Sequence, residues 1–166
     1  LALRDAMGFA PAVLPMSDEP VRTDVRTDDG WLEFQEYFVH RHQEPTVHEV
    51  RFRGVDGARA TAEVLAAIET AHAIVIAPSN PIVSVGPILA VPGIAEALGR
   101  ARGRGSPIVA MSGIVGGVAL KGPADRMLQS LGFEASALGV ARLYRDVATA
   151  FIADAVFSVG PMPEPV

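Results

Sequence analysis

The sequence predicts an α/β fold: a Rossmann-like parallel sheet with flanking helices, plus a small β/helical insertion near the start. Two observations carry this reading. From Thr61 onward, continuous apolar runs at 73–77 ("AIVIA"), 107–111 ("PIVAM") and 150–154 ("AFIAD") alternate with segments of helical periodicity. Apolar strands alternating with helices at this spacing imply parallel strands joined by crossovers. Residues 21–55, by contrast, alternate apolar and polar side chains around turn residues, the mark of half-exposed strands. The chain therefore reads as a single domain over 1–166, with a β/helix insertion at 14–55, an α/β core at 61–154 and an irregular proline-rich tail at 158–166.

The elements follow in order. Residues 1–9 read as the end of a helix and "AVLPM" (12–16) as a short strand. "VRTDVRTDDGWLEF" (21–34) is a strand leading into a tight turn at Asp28-Asp29-Gly30, because Asp-Gly accepts positive φ at little cost. In "LEFQEYFVHRH" (32–42), Leu32, Phe34, Tyr37 and Phe38 fall near helical spacing, and "VHEVRFRGV" (47–55) reads as an exposed or edge strand. A helix with Thr61 at its start covers 61–71, and the buried strand 73–77 follows it. Residues 88–101 are helical in two pieces around Pro92. After the buried strand 107–111 come helices at 122–132, opening with Pro123 and ending at Gly132, and at 136–146, then the last strand.

Composition narrows the class. With 166 residues, 49% hydrophobic and 20% charged, the chain can bury one sizeable core. A net charge of −5 with pI ≈ 5.3 offers no basic footprint for nucleic acid, and the short run Arg100 to Arg104 reads as a solvated helix end. Cysteine is absent, which removes disulfides and thiolate sites and suits a cytoplasmic location. No apolar stretch reaches the length of about 18 residues that a membrane span needs, and residues 1–16 lack a signal-peptide pattern.

Two loops at strand ends are candidate ligand sites. The first is Ser79-Asn80-Pro81 with Ser84 and Gly86, where a buried strand stops in small polar residues before a helix. Hydroxyls, an amide and unpaired N–H groups at a helix start can hold phosphate oxygens, while the same residues are also ordinary helix caps. The second is "MSGIVGGVALKGPADRM" (111–127), with Ser112, Gly116, Gly117 and Lys121. Its glycines permit close backbone approach and the lysine could neutralise a phosphate, though the order is not that of a Walker loop and a plain turn is the simpler reading. Asp24, Asp28, Asp29, Glu33 and Glu36 cluster near a turn, where they could bind magnesium or pair with Arg22 and Arg26 as a solvated face. His40, His42, His48 and His72 lack zinc-ligand spacing, no Ser-His-Asp order is evident, and no catalytic residue is assigned.

Taken together, "LPMSDEPVRTDVRTDDGWLEFQEYFV" (14–39), "AIVIAPSNPIVSVGPILAVPGI" (73–94), "SGIVGGVALKGPADRMLQSLG" (112–132) and "GVARLYRD" (139–146) resemble, in order, the 2-phospho-L-lactate transferases of coenzyme F-420 biosynthesis, with a spelling most similar to the actinobacterial, phosphoenolpyruvyl-type branch. The resemblance implies transfer of a phospholactyl or phosphoenolpyruvyl group from a guanosine diphosphate-linked donor to the primary alcohol of 7,8-didemethyl-8-hydroxy-5-deazariboflavin. GMP leaves, magnesium (Mg2+) is required, and the enzyme is expected to be a cytoplasmic homodimer. Ser79, Asn80, Pro81, Ser84, Gly86, Ser112, Gly116, Gly117 and Lys121 would then line the nucleotide or phosphate side. The family also carries an amino-terminal half with a glycine-rich phosphate loop and an Asn/Asp-rich segment expected to hold the metal and the deazaflavin. This chain is accordingly expected to be the carboxy-terminal half, with no metal ligands of its own, and by itself an incomplete catalyst. Gly113 stands where the family is expected to carry proline, which loosens the loop entropically. A related group of the same fold binds nucleotide-sugars as a regulatory module, its corner reading Gly-Pro-Gly-Ser-Leu-Tyr-Thr-Ser. The corner here, Pro-Ser-Asn-Pro-Ile-Val-Ser, favours the transferase over that module, and an inactive fragment is the third reading.

Overall fold

A computed structural model describes residues 6, 8, 11–120 and 122–154. The expected helix end at 1–9 and the tail at 158–166 therefore fall mostly or wholly outside the described residues. Strands β1 (Arg22–Thr27), β2 (Gly30–Glu33) and β3 (Glu49–Arg53) form an antiparallel sheet in the order β2-β1-β3. Asp28 and Asp29 make the β1–β2 turn, and Gly30 takes the positive φ of 102° that closes it. One face of the sheet carries Val25, Leu32 and Val50, which pack with Tyr37, Val47, Val83 and Met127. The other face carries charge.

Asp24 is buried there, 3% exposed, and accepts hydrogen bonds from Arg53 Nε at 3.1 Å and Arg51 Nε at 3.1 Å. Arg53 also reaches Glu33, and Arg51 stacks over the Trp31 ring at 4.0 Å. The acids near the turn are thus used as ion pairs: Glu36 joins Arg41 and His40, and Glu49 joins Arg26.

Two expectations for this region fail. Residues 12–16 form no strand; Val13 and Leu14 are exposed, Pro15 has no N–H to donate, and pairing is limited to a single bridge, Ser17 to Ala60. Leu32 belongs to β2, not to a helix, because the Val25–Leu32 cross-strand pair places it on the core face. The helical part is a wide turn at Glu36–His40, with Arg41 N–H donating to the Glu36 carbonyl at 3.0 Å, an i→i+5 bond.

The second layer begins at α1 (Ala62–Thr70), capped by the Thr61 hydroxyl accepting from Val64 N–H. Then come β4 (Ile74–Ile76), a second wide turn at Pro81–Val85, α2 (Gly86–Ala90), α3 (Ile94–Gly103), β5 (Ile108–Met111), the β6–β7 hairpin (Ile114–Val115 and Val118–Ala119), α4 (Ala124–Ser130), α5 (Ala137–Leu143) and β8 (Ala150–Ile152). Strands β4, β5 and β8 are parallel and lie in that order. Pro92 separates α2 from α3, as the sequence predicts.

Ile74, Ile76, Ile108, Ala110 and Phe151 point to the face covered by α1, α3, α4 and α5. The opposite face is also apolar, with Val109, Met111, Ala150 and Ile152, which are half-buried and belong to none of the core clusters. Val75 on that face is 63% exposed, so β4 is half-buried and not the fully buried strand that its composition predicts. Tyr144 is buried in the parallel-sheet core; burial pushes its hydroxyl pKa up to about 12, and it stays protonated.

The Arg53 hydrogen bond, followed by that of Arg51, holds the Asp24 carboxyl below the usual carboxylate range. A depressed folded-state pKa stabilises the fold above the unfolded value, near about pH 4, and that stabilisation is lost as pH falls through the folded value. Asp24→Asn is expected to cost about 2 kcal/mol at neutral pH. The difference from wild type in urea unfolding should hold above about pH 5 and shrink below about pH 4; a difference that widened on acidification would contradict this role.

Candidate functional site

Strands β4 and β5 are neighbours and both end at the same edge of the sheet, which is where open parallel sheets leave a crevice. Here a cavity of about 330 Å³ opens over them. Its floor is Pro78-Ser79-Asn80, after β4, and Gly113, after β5; Val83 and Ser84 form one wall, and Phe34 and Phe38 from the insertion form the other. The Phe34 and Phe38 rings lie 5.5 Å apart, tilted by 35°.

Asn80 is what shapes the first wall. Its Oδ1 accepts from Ile82 N–H at 2.9 Å and Val83 N–H at 3.2 Å, satisfying the N–H groups that a helix start leaves without partners. Its own carbonyl then accepts from Ser84 and Val85 N–H, both at 3.1 Å, the second being an i→i+5 bond. Pro81 sits in the first turn with nothing to donate. The turn buries Pro81, Val83 and Val85 and leaves Ser84 exposed beside the cavity. The capping role that the sequence allows for Asn80 is therefore present, and it engages the Ile82 and Val83 donors that a phosphate would need.

The remaining sequence candidates separate. Ser79 and Ser84 reach the cavity, and no side-chain hydrogen bond ties up either hydroxyl among the described residues. Gly86 faces packing: a Cβ would sit 3.0 Å from Phe52 Cζ. Ser112 is buried, its hydroxyl donating to the Ile114 carbonyl at 2.8 Å and accepting from Ile114 N–H at 3.0 Å. Gly116 and Gly117, with φ of 59° and 82°, are the two-residue loop of the β6–β7 hairpin, a turn that requires positive φ at both positions. Gly116 N–H donates to the Asp154 carboxylate at 2.5 Å, so that loop already binds an anion from within the chain. Lys121 lies outside the described residues.

On the cavity's far side, sequence reasoning reached Gly113, in the second candidate loop, and missed Gly122. Gly113 lies with its Cα against Ser79, where a Cβ would meet the Ser79 carbonyl at 3.6 Å. Gly122 (φ 73°) supports the Phe38 ring, with a Cβ position 3.7 Å from Cε2. The available signal was the aromatic density of 34–38 in a chain only 6% aromatic. Among the described residues no three His, Asp or Glu side chains converge on a common point.

A parallel α/β sheet with a mixed aromatic and hydroxyl cavity over its strand ends defines an α/β domain with its crevice at the carboxy-terminal edge of the sheet. The comparisons carry this further. The family described as 2-phospho-L-lactate transferase CofD matches residues 2–162, and the chain belongs to that family. A 2-phospho-L-lactate transferase of Methanosarcina acetivorans is 40% identical over 152 residues, covering 92% of this chain and 48% of that protein. A phosphoenolpyruvate transferase of Mycobacterium avium is 47% identical over 150 residues, covering 86% of this chain and 43% of that one. The chain spans about half the length of the curated relatives it matches. A crystal structure of a UPF0052 family protein from Bacillus halodurans superposes with a TM-score of 0.61 over 92% of this chain and 46% of that one; at 20% identity the likeness is one of fold.

Ser112→Ala leaves the buried Ile114 N–H without its acceptor, so stability in urea unfolding should fall by about 1–3 kcal/mol with ligand affinities unchanged. Unchanged stability with lost affinity would assign the hydroxyl to a ligand instead.

Proposed function

We propose that this chain contributes the strand-end cavity of a transferase that moves a phospholactyl or phosphoenolpyruvyl group from a guanosine diphosphate-linked donor to the primary alcohol of a deazaflavin. In that reaction the alcohol oxygen bonds to the phosphorus carrying the lactyl or enolpyruvyl group. The bridging P–O bond breaks, GMP leaves with the bridging oxygen, and the alcohol proton is released. The observation that carries this reading is the cavity at the carboxy-terminal ends of β4 and β5 in a chain of this family.

Phosphoryl transfer asks a protein mainly to position the partners and to stabilise charge. Ser79 and Ser84 can donate to a substrate oxygen at the polar end, and Phe34 and Phe38 line the other side. The guanosine-linked donor and the deazaflavin acceptor are the small-molecule partners on this reading. Magnesium, when bound, would supply charge neutralisation from residues other than those described.

Calorimetric titration of the chain with GDP and with the deazaflavin alcohol, each with and without magnesium, tests the proposal against a UDP-sugar control. Saturable binding of GDP or the deazaflavin alcohol, with none for the UDP-sugar, is expected. Saturable binding of the UDP-sugar alone would move the protein to the nucleotide-sugar-binding class.

A further inference from the structure

We propose that the notch where β2 leaves β1 is a second ligand site, for a small organic acid whose oxyanion is held by Arg22 and whose apolar body lies against Phe34 and Val83. The site is separate from the transferase reading and does not depend on it. Its origin lies in the register of the insertion sheet. Asp24 is the last residue of β1 aligned with β2, opposite Glu33, whereas Arg22 and Thr23 are aligned only with Arg53 and Phe52 of β3. After Glu33 the chain leaves the sheet for the wide turn at 36–40, and a cavity of about 360 Å³ lies at that end of β1. Arg22, Thr23, Glu33 and Gln35 give it a polar lining; Phe34 and Val83, which also line the strand-end cavity, give it an apolar wall.

Arg22 is the residue that calls for an anion. The other arginines of the sheet each meet a carboxylate: Arg26 pairs with Glu49, Arg51 and Arg53 with Asp24, and Arg53 also with Glu33. Arg22 is exposed, stands directly opposite Arg53, and has no carboxylate or hydrogen-bond partner among the described residues. Like charges facing each other across a strand pair destabilise it, and an oxyanion on Arg22 would offset that repulsion. Glu33, the one acid in the lining, is held by Arg53 at 2.7 Å, so its charge is already neutralised locally. The Thr23 hydroxyl and the Gln35 amide carry no side-chain hydrogen bond among the described residues and add donors beside the guanidinium, whose fork matches a carboxylate or a phosphate. The apolar wall selects an acid with a hydrocarbon or ring body over a bare ion.

Benzoate and phenyl phosphate are the probes, titrated into the 166-residue chain and followed by amide chemical shifts. At least one of them should give saturable shifts at Thr23, Gln35 and Val83. Acetate and inorganic phosphate, which lack the ring, and benzyl alcohol, which lacks the charge, should bind at least about tenfold more weakly. Arg22→Gln should weaken the probe about tenfold, Arg22→Lys should recover part of the loss, and Arg26→Gln, on the same strand, should leave the affinity unchanged. Binding of benzoate alone assigns a carboxylate, of phenyl phosphate alone a phosphomonoester, and of both the oxyanion they share. Shifts at Ser79, Ser84 and Gly113 without Thr23 and Gln35 would put the acid in the strand-end cavity and overturn the inference. Equal loss in Arg22→Gln and Arg26→Gln, indifference to Arg22→Gln, bare ions binding as tightly as the probes, or no binding of either probe would overturn it as well.

Discussion

The cap that Asn80 places on the turn at Pro81–Val85 is the constraint on which the two layers of the molecule depend. By accepting from Ile82 and Val83 N–H, the amide fixes a wide turn in which neighbouring side chains serve different cores. Val83 enters the cluster of the antiparallel sheet, with Val25, Tyr37, Val47 and Met127. Val85 enters the cluster of the parallel sheet, with Ala110, Leu128 and Phe151. Between them Ser84 is left facing the cavity. A regular helix start would place these side chains about 100° apart per residue; the extra residue in the turn changes that phase.

The same joint explains why the insertion matters for the site. Its charged face is self-contained, with Asp24 buried under Arg51 and Arg53, so the sheet can stand over the strand ends without a hydrophobic cover of its own. Its inner face supplies the aromatic wall. Gly86 admits Phe52, where a Cβ would press on the insertion at its junction with the core, and Gly122 takes a positive φ of 73° beside Phe38. Of the stretches that carry the family resemblance, 14–39 supplies Phe34 and Phe38 to the cavity.

The parallel core was legible because its signals are local. Continuous apolar runs gave the strands, Thr61, Pro123 and Gly132 marked helix ends, and Pro92 marked the break, all of which act within a few residues. Legibility failed where the outcome depends on a distant partner. The segment 12–16 is strand-like in composition but finds no neighbour to pair with, and Leu32 was drawn out of a helical pattern by Val25 across the hairpin. The site was half legible. Ser79, Asn80 and Ser84 announced themselves as polar residues after an apolar strand, whereas Gly116 and Gly117 imitate a phosphate loop while making a hairpin turn. Phe34 and Phe38 could not be placed, because nothing local says which way an aromatic pair outside the core sheet will face.

The most direct measurement is amide hydrogen exchange at Ile82 and Val83 in wild type, Asn80→Ala and Asn80→Asp. If Asn80 holds the turn, both amides are protected in wild type, exchange about fivefold or more faster in Asn80→Ala, and regain protection in Asn80→Asp, whose carboxylate can accept the same bonds. Equal protection in all three proteins would mean that packing of Val83 and Val85 sets the turn and that the cap is incidental to the site.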